Sequence, residues 1–255
     1  MGGGMARLKT ESGRELAYER LAGKGPGVVF LGGFMSDMQG TKALALEEWA
    51  RAQGRAFLRF DYSGHGQSSG AFADGCIGDW AEDARAVIEA LCEGPQVRVG
   101  SSMGGWIAAL LSRQMPERIA GLVTIAAAPD FTEDSMRAGF SAEQRAQLLD
   151  EGRIELPSEY DAPYTISRRL IEDGRDNLVL RSPLPMAFPV RLLQGDADRD
   201  VDMSVALKLF GHIDGEDVRL TIVKGADHRF SSPECLTLIA QSVAEVLAVA
   251  EQGDG

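Results

Sequence analysis

Short runs of apolar, often β-branched residues alternate along this chain with longer stretches of helical periodicity. The runs predict seven strands, at residues 15–21, 28–31, 56–60, 97–99, 121–126, 190–193 and 218–223. The stretches of helical periodicity predict five helices, at residues 41–53, 78–92, 106–114, 204–212 and 232–251. Strands that alternate with helices are typical of a parallel sheet covered on both faces. The pattern therefore predicts an α/β fold with a mostly parallel sheet.

The alternation is interrupted between about residues 130 and 189. This stretch contains helical pieces and several prolines, among them Pro157 and Pro163, but no clear strand pattern. An insertion of this size is longer than an ordinary connection between two sheet strands. It predicts a helical cap inserted into a single domain that spans residues 1–255. The alternative is a helical crossover with long loops.

Composition and charge exclude several classes of protein. The chain has 255 residues, of which 44% are hydrophobic, and its formal net charge of −12 disfavours binding to nucleic acid or to an anionic membrane. No apolar run approaches the roughly 18 residues of a membrane span. Three widely spaced cysteines, Cys76, Cys92 and Cys235, fit neither a disulfide framework nor a zinc cluster. Together with a start that does not look like a signal peptide, these features predict a cytoplasmic protein.

The stretch from Val97 to Leu111, "VRVGSSMGGWIAALL", carries the clearest chemical signal. It fits G-x-S-x-G between a predicted strand and a predicted helix, with Ser102 at the central position. Glycines on both sides allow a tight turn that presents the central hydroxyl above the start of a helix. We interpret Ser102 as a nucleophile. The alternative is a glycine-rich turn with a capping serine.

The chain has three histidines, so the candidates for a general base are few. His212 falls late in a predicted helix, where a surface or capping role is expected. His65 lies between glycines in a loop and is assigned to loop packing. His228 follows the last predicted strand, at the sheet edge where such folds place their sites, and is therefore the predicted base.

A carboxylate that orients the base is expected between the serine and the histidine in the chain order of such enzymes. Four aspartates compete after the strand at 190–193: Asp196, Asp198, Asp200 and Asp202. Asp198 is favoured because Gly195-Asp196-Ala197-Asp198 matches the Gly-x-x-Asp pattern usual at this place. A calcium loop is rejected because the glycine and glutamate that it requires are missing. No metal is predicted.

Backbone N–H groups must stabilise the oxyanion that forms during acyl transfer. The residue after the nucleophile, Met103, supplies one of them. The other is expected from "VVFLGGFMSD", with Phe34 as the donor. An apolar acyl pocket is then predicted from side chains near the serine and in the cap, although plain core packing is the alternative for each: Phe34, Met35, Trp106, Phe140 and Tyr164.

With these motifs in place, the chain resembles the α/β-hydrolase superfamily over nearly its whole length. Within it, the chain is similar to the mitochondrial abhydrolase-ten type, a group of acyl-protein thioesterases and acyl-glucuronide esterases. The stretches that carry this resemblance are "GTKALALEEWA", "RFDYSGHGQSSG", "GSSMGGW", "RSPLPMAFPVRLLQGDAD" and "DHRF". Two positions depart from the group, since Gly32 and Gln194 stand where histidine is common. The mitochondrial location does not transfer, because the chain start lacks an Arg/Ser-rich amphipathic leader.

The resemblance implies an α/β-hydrolase fold with a triad of Ser102, Asp198 and His228 and an oxyanion hole at Phe34 and Met103. We predict a serine hydrolase of carboxylic esters or thioesters, acting without metal or organic cofactor. Its substrate would be a small-molecule ester, an acyl thioester or an acylated protein. A C–C bond hydrolase or lactonase with the same triad is one alternative. A non-catalytic binding protein of this fold is the other.

Overall fold

The computed structural model describes residues 6–156 and 163–253. Its centre is a sheet of eight strands: β1 (Ala6–Lys9), β2 (Glu15–Leu21), β3 (Lys24–Leu31), β4 (Arg55–Phe60), β5 (Gln96–Ser101), β6 (Ile119–Ile125), β10 (Val190–Gly195) and β12 (Val218–Val223). The contacts of β1 with β2 and of β2 with β4 are antiparallel, and all other contacts in the sheet are parallel. The strands lie side by side in the order β1-β2-β4-β3-β5-β6-β10-β12.

Helices cover both faces of the sheet and join its strands. They are α1 (Thr41–Ala52), α2 (Ile77–Leu91), α3 (Met103–Gln114), α4 (Ala142–Glu151), α5 (Arg168–Asp176), α6 (Met203–His212) and α7 (Pro233–Gly253). Successive side chains of a strand point to opposite faces, so each central strand contributes to two cores. Val28 and Phe30 of β3 pack in the core under α1 and α7, whereas Val29 and Leu31 pack in the core under α2 and α3.

The stretch between residues 130 and 189 contains more β-structure than the sequence predicts. It holds a π-helical turn (Thr132–Arg137), α4, α5, the antiparallel pair β7 (Arg153–Leu156) and β8 (Tyr164–Ser167), and the two-residue strand β9 (Leu184–Pro185), which pairs with β11 (Ile213–Asp214). The expectation of a stretch without strands is therefore wrong. Strands of two to four residues are too short to show an alternating pattern in sequence.

Helix α3 differs from the sequence-based expectation in where it begins, and helix α7 differs in its length and apolar composition. Helix α3 begins at Met103 rather than at residue 106, because the turn and the packing around it accommodate two glycines that are poor helix formers. By length and composition alone, the segment Pro233–Gln252 of α7 could cross a membrane, so the expectation that no apolar run approaches the length of a membrane span is wrong. One face of α7, with Ile239, Val243 and Val246, is buried against the sheet.

Candidate active site

Ser102 occupies the sharp turn between β5 and α3 at the carboxyl edge of the sheet. Its backbone has φ 52° and ψ −117°, outside the regions that residues with a side chain prefer. Its N–H donates to the carbonyl of Ile125 at 2.9 Å, and its carbonyl accepts from the N–H groups of Gly105 and Ala128. Bonds to the backbone on both sides thus hold the serine in this strained conformation, with its side chain partly exposed.

The flanking glycines are required by close backbone approaches. A Cβ atom on Gly104 would lie 2.0 Å from the carbonyl oxygen of Leu31, and one on Gly100 would lie 2.5 Å from the carbonyl oxygen of Gly104. Both obstacles are backbone atoms, which cannot rotate away. The turn as observed therefore leaves no room for a side chain at either position.

We expect Gly104→Ala to lower the free energy of unfolding by about 3 kcal/mol, because a methyl group must displace β3 from α3. The measurement is urea unfolding followed by circular dichroism. Gly211→Ala is the matched control, since Gly211 lies in α6 and a Cβ atom there meets nothing within 4 Å. That variant is expected to be unchanged or slightly stabilised. Equal midpoints for the two variants would contradict this account of the turn.

The structure brings Ser102, His228 and Asp198 into one hydrogen-bonded line. The Oγ of Ser102 lies 3.1 Å from Nε2 of His228, and Nδ1 of the same imidazole lies 2.9 Å from Oδ2 of Asp198. The three residues follow β5, β10 and β12, whose carboxyl ends lie at the same edge of the sheet. Parallel strands thus place at one site residues that are up to 126 positions apart in the chain.

The Asp198 carboxylate is fully buried and fully hydrogen-bonded. Burial on its own would raise the pKa of Asp198, but hydrogen bonds from His228 and from the backbone N–H groups of Val201 and Asp200 outweigh it and keep that pKa below the ordinary value. Gln194, one of the two positions that depart from the family pattern, donates from Nε2 to Oδ2 of Asp198 at 3.0 Å. A neutral amide therefore supports the carboxylate here.

The three competing aspartates have other surroundings. Asp196 forms an ion pair with Lys224, and Asp202 caps α6 by accepting from the N–H of Ser204. Asp200 is exposed and donates its own backbone N–H to Asp198. Of the four candidates, Asp198 is the one whose side chain reaches a histidine among the residues that the structure describes.

A metal ion could find ligands at the same place. Atoms of Asp198, Asp200 and His228 that could bind a metal all lie within 4.8 Å of one another. Asp198 and His228 already share a hydrogen bond between Oδ2 and Nδ1, so an ion bound by these two atoms would have to displace the proton between them. The sequence-based expectation that no metal is used stays a prediction.

The loop Gly32–Met38 contains the predicted donor Phe34, is named the oxyanion loop, and passes close to Ser102 at Gly33. A Cβ atom on Gly33 would lie 3.4 Å from Cβ of Ser102. Phe34 follows at once, and hydrogen bonds from the N–H groups of Met35, Ser36 and Met38 fix the loop around it. Met103 is the first residue of α3, so its N–H has no acceptor within the helix. Both residues predicted to stabilise an oxyanion thus lie beside the serine.

Of the five side chains predicted to line an acyl pocket, two are buried in the core and three are at least partly exposed. Trp106 is fully buried and donates from Nε1 to the carbonyl of Asn177, and Phe140 is also buried, so both belong to the core. Phe34 packs edge-on against Phe72, Trp80 and Phe131, with the nearest ring centroid 4.8 Å away. Met35 is 47% exposed. Tyr164 in the cap is partly buried.

Sequence reasoning did not identify the residues that hold the site loops. Lys42, at the start of α1, donates from Nζ to the carbonyl of Arg229 at 2.6 Å and so anchors the loop that carries His228. Burial lowers the pKa of Lys42. The buried carboxylate of Asp61 accepts from the N–H of Met38 at 2.6 Å and anchors the oxyanion loop. The quoted motifs contain both residues, but their spacing does not reveal which backbone atoms they reach.

Comparison with known proteins identifies the class. The model of the alpha/beta hydrolase fold family matches residues 28–188. The parallel sheet, with the strained serine at its carboxyl edge, is the architecture of that family. The chain belongs to the alpha/beta hydrolase fold family, which confirms the fold class expected from its sequence.

Particular relatives cover nearly the whole chain. The palmitoyl-protein thioesterase ABHD10, mitochondrial, of Rattus norvegicus is 35% identical over 242 residues, which are 94% of this chain and 81% of that protein. The crystal structure of a putative hydrolase from Agrobacterium vitis S4 superimposes with a TM-score of 0.91 at 38% identity and covers 96% of this chain and 98% of that one. The structure of alpha/beta hydrolase domain-containing protein 10 from mouse gives a TM-score of 0.88 at 33% identity, with 96% and 99% covered. The similarity to this group, inferred from motifs alone, is confirmed.

The relatives overturn the cytoplasmic location predicted from sequence. The mammalian proteins named palmitoyl-protein thioesterase ABHD10 are all named as mitochondrial. The prediction rested on cysteine usage and on the first residues of the chain. A mitochondrial leader is removed after import and the folded domain keeps no trace of it, so these features do not determine the compartment.

Proposed function

We propose that this protein is a serine hydrolase that cleaves carboxylic esters or thioesters through an acyl-enzyme on Ser102. The observation that carries the proposal is the hydrogen-bonded line from Ser102 through His228 to the buried Asp198, with contacts of 3.1 and 2.9 Å. This is the arrangement that activates a serine hydroxyl for acyl transfer. Relatives named as a palmitoyl-protein thioesterase and a putative hydrolase support a hydrolytic reaction.

In the first half of the reaction, Oγ of Ser102 attacks the carbonyl carbon of the substrate. Nε2 of neutral His228 accepts the hydroxyl proton, and the carboxylate of Asp198 stabilises the imidazolium that forms. The tetrahedral intermediate then collapses, and His228 gives the proton to the departing alcohol or thiol. In the second half, water attacks the acyl carbon while His228 accepts a proton from it. His228 then gives that proton to Oγ of Ser102 as the bond between Oγ and the acyl carbon breaks, and the carboxylic acid leaves.

The developing oxyanion would be stabilised by the N–H groups of Phe34 and Met103. In comparable sites each such donor contributes about 3–4 kcal/mol to stabilising the transition state. The close approach of the oxyanion loop to Ser102 at Gly33 supports this assignment. No step of the proposed reaction needs a metal ion or an organic cofactor.

Thioesters of long acyl chains are the substrates we favour. The rat relative that is 35% identical to this chain is named palmitoyl-protein thioesterase. The ring of Phe34 and the exposed side chain of Met35 present apolar surface next to the nucleophile, where an acyl chain would lie. An acyl thioester, either a small molecule or an acylated protein, is the proposed partner.

The experiment that tests this function is a panel of p-nitrophenyl esters and acyl-CoA thioesters with chains from acetyl to palmitoyl. We expect hydrolysis of both series, with kcat/KM rising with chain length because a longer chain buries more apolar surface. Intact turnover by a preparation in which Ser102 is blocked by a fluorophosphonate would refute the serine mechanism. The absence of both turnover and labelling would favour a non-catalytic binding protein.

A further inference from the structure

The oxyanion loop is held from beneath by β4 and the loop that follows it. Nε2 of His65 lies 3.2 Å from the backbone nitrogen of Met35, whose N–H it accepts. Oδ1 of Asp61 accepts from the N–H of Met38, and Nη1 of Arg59 donates to the carbonyl of Met38 at 3.0 Å. Asp61 and Arg59 thus fix the far end of the loop. His65 contacts it next to Phe34.

The protonation state of His65 follows from its two contacts. Its Nδ1 lies 3.2 Å from the carbonyl oxygen of Ser63, which can only accept, so Nδ1 carries the hydrogen. Nε2 faces the N–H of Met35, which can only donate, so Nε2 must be unprotonated. His65 is therefore a neutral imidazole in a single tautomer. Burial supports this state, since it lowers the pKa of His65.

The surroundings of His65 keep the ring in place without charging it. The ring is 3% exposed and meets the rings of Tyr62, Phe72 and Trp80 edge-on, with centroids 5.1 to 5.6 Å away. On the packed helix α2, the carboxylate of Asp83 is occupied by the N–H and hydroxyl of Ser63 and by Arg14. The two carboxyl oxygens of Asp61 accept from the N–H groups of Met38 and Gln67. The carboxylates of Asp61 and Asp83 are thus held by other partners, and Tyr62 is a titratable neighbour that contacts the ring.

Met35 needs an external partner to keep its conformation. Its φ of 56° lies in the left-handed region, which a residue with a side chain rarely adopts. The N–H of Met35 belongs to the peptide that joins it to Phe34, and this peptide meets the one bearing the Phe34 N–H at a single Cα atom. The hydrogen bond to His65 therefore limits the directions in which the Phe34 N–H can point.

We propose that His65 is a positioning residue for the oxyanion hole, acting through the Met35 peptide on the Phe34 N–H. The inference rests on the proposed function, in which Phe34 is a donor to the oxyanion. A displacement of about 1 Å at such a donor can cost about 10²-fold in rate. Protonated His65 would turn a donor at Nε2 toward the donor of Met35, so acid would release the loop.

The test compares His65→Asn with His65→Gln, two amides that differ by one methylene. Glutamine carries its amide oxygen about as far from the backbone as Nε2 and can accept from Met35, whereas asparagine reaches only to the position of Nδ1. With the best substrate of the panel, we expect His65→Asn to lower kcat by about 10- to 100-fold with KM changed less than about threefold. We expect His65→Gln to restore kcat to within about fivefold of wild type. Urea unfolding should show similar stabilities for the two variants.

The pH profile separates positioning from packing. Toward acid pH, log kcat/KM should fall more steeply in wild type than in His65→Gln, because a glutamine at this position cannot take up the proton that His65 can. The 15N shifts of the wild-type imidazoles should show His65 with the hydrogen on Nδ1, whether or not a variant folds. Equal kcat in the two variants, or the hydrogen on Nε2, would overturn the inference. A wild-type protein that hydrolyses nothing would instead refute the proposed function.

Discussion

Ser102→Ala is expected to abolish hydrolysis of esters and thioesters, with kcat lower by about 10⁶-fold as in other serine hydrolases. The reason is chemical, because no other nucleophile lies at 3.1 Å from Nε2 of His228 in the part of the chain that the structure describes. The fold should persist, since the change removes one partly exposed oxygen. A fluorophosphonate, followed by peptide mass spectrometry, should label wild type at Ser102 and leave Ser102→Ala unlabelled.

The adjacent serine provides the matched control. Ser101 is the last residue of β5, is 6% exposed and pairs with Ile125 in the sheet. Successive side chains of a strand point in different directions, so Ser101 and Ser102 cannot both face His228. Ser101→Ala should keep activity within about tenfold of wild type, or about 1.4 kcal/mol. Covalent label on Ser101 would move the nucleophile and, with it, the role of Met103.

Asp198→Asn is expected to lower kcat by about 10⁴-fold while the site keeps its shape. An asparagine amide would present a hydrogen to His228, so that Nδ1 becomes the acceptor and the hydrogen moves to Nε2. An Nε2 that carries a hydrogen cannot take the proton of Ser102. The measurement is kcat for p-nitrophenyl ester hydrolysis, with circular dichroism as the check on folding.

Asp196→Asn is the control for this second result. Asp196 lies two residues away, carries the same charge and pairs with the exposed Lys224. Its replacement removes one surface ion pair, a contact of small energetic consequence, and should leave kcat within about twofold. If the losses were reversed between the two variants, Asp196 would be the residue that orients the base.

The parts of the site that could be predicted from sequence are those with a local pattern. Gly100 and Gly104 bracket Ser102 at fixed spacing because the turn between β5 and α3 has no room for side chains at either position. Asp198 and His228 each follow a strand of the parallel sheet, so chain order and sheet topology together place them near the serine. The roles of these residues stay predictions until the variants are measured.

The contacts that hold the site could not be predicted from the sequence, because they join distant segments of the chain through backbone atoms. Lys42 reaches a carbonyl 187 positions away, and His65 reaches an N–H 30 positions away. Any side chain with a donor could bind a carbonyl, so no residue pattern marks the pair. The hairpin of β7 and β8 was missed for a different reason, because four-residue strands carry too little periodicity.

The backbone of Ser102 has a consequence for the evolution of this chain. At φ 52° and ψ −117° Ser102 lowers the stability of the folded state by about 1–3 kcal/mol relative to a relaxed residue. Natural selection for stability alone would remove that strain, for example by placing glycine at this position. Under the proposed function, activity and stability therefore favour different residues at position 102. Mutations elsewhere that raise stability enlarge the margin within which the serine can be kept.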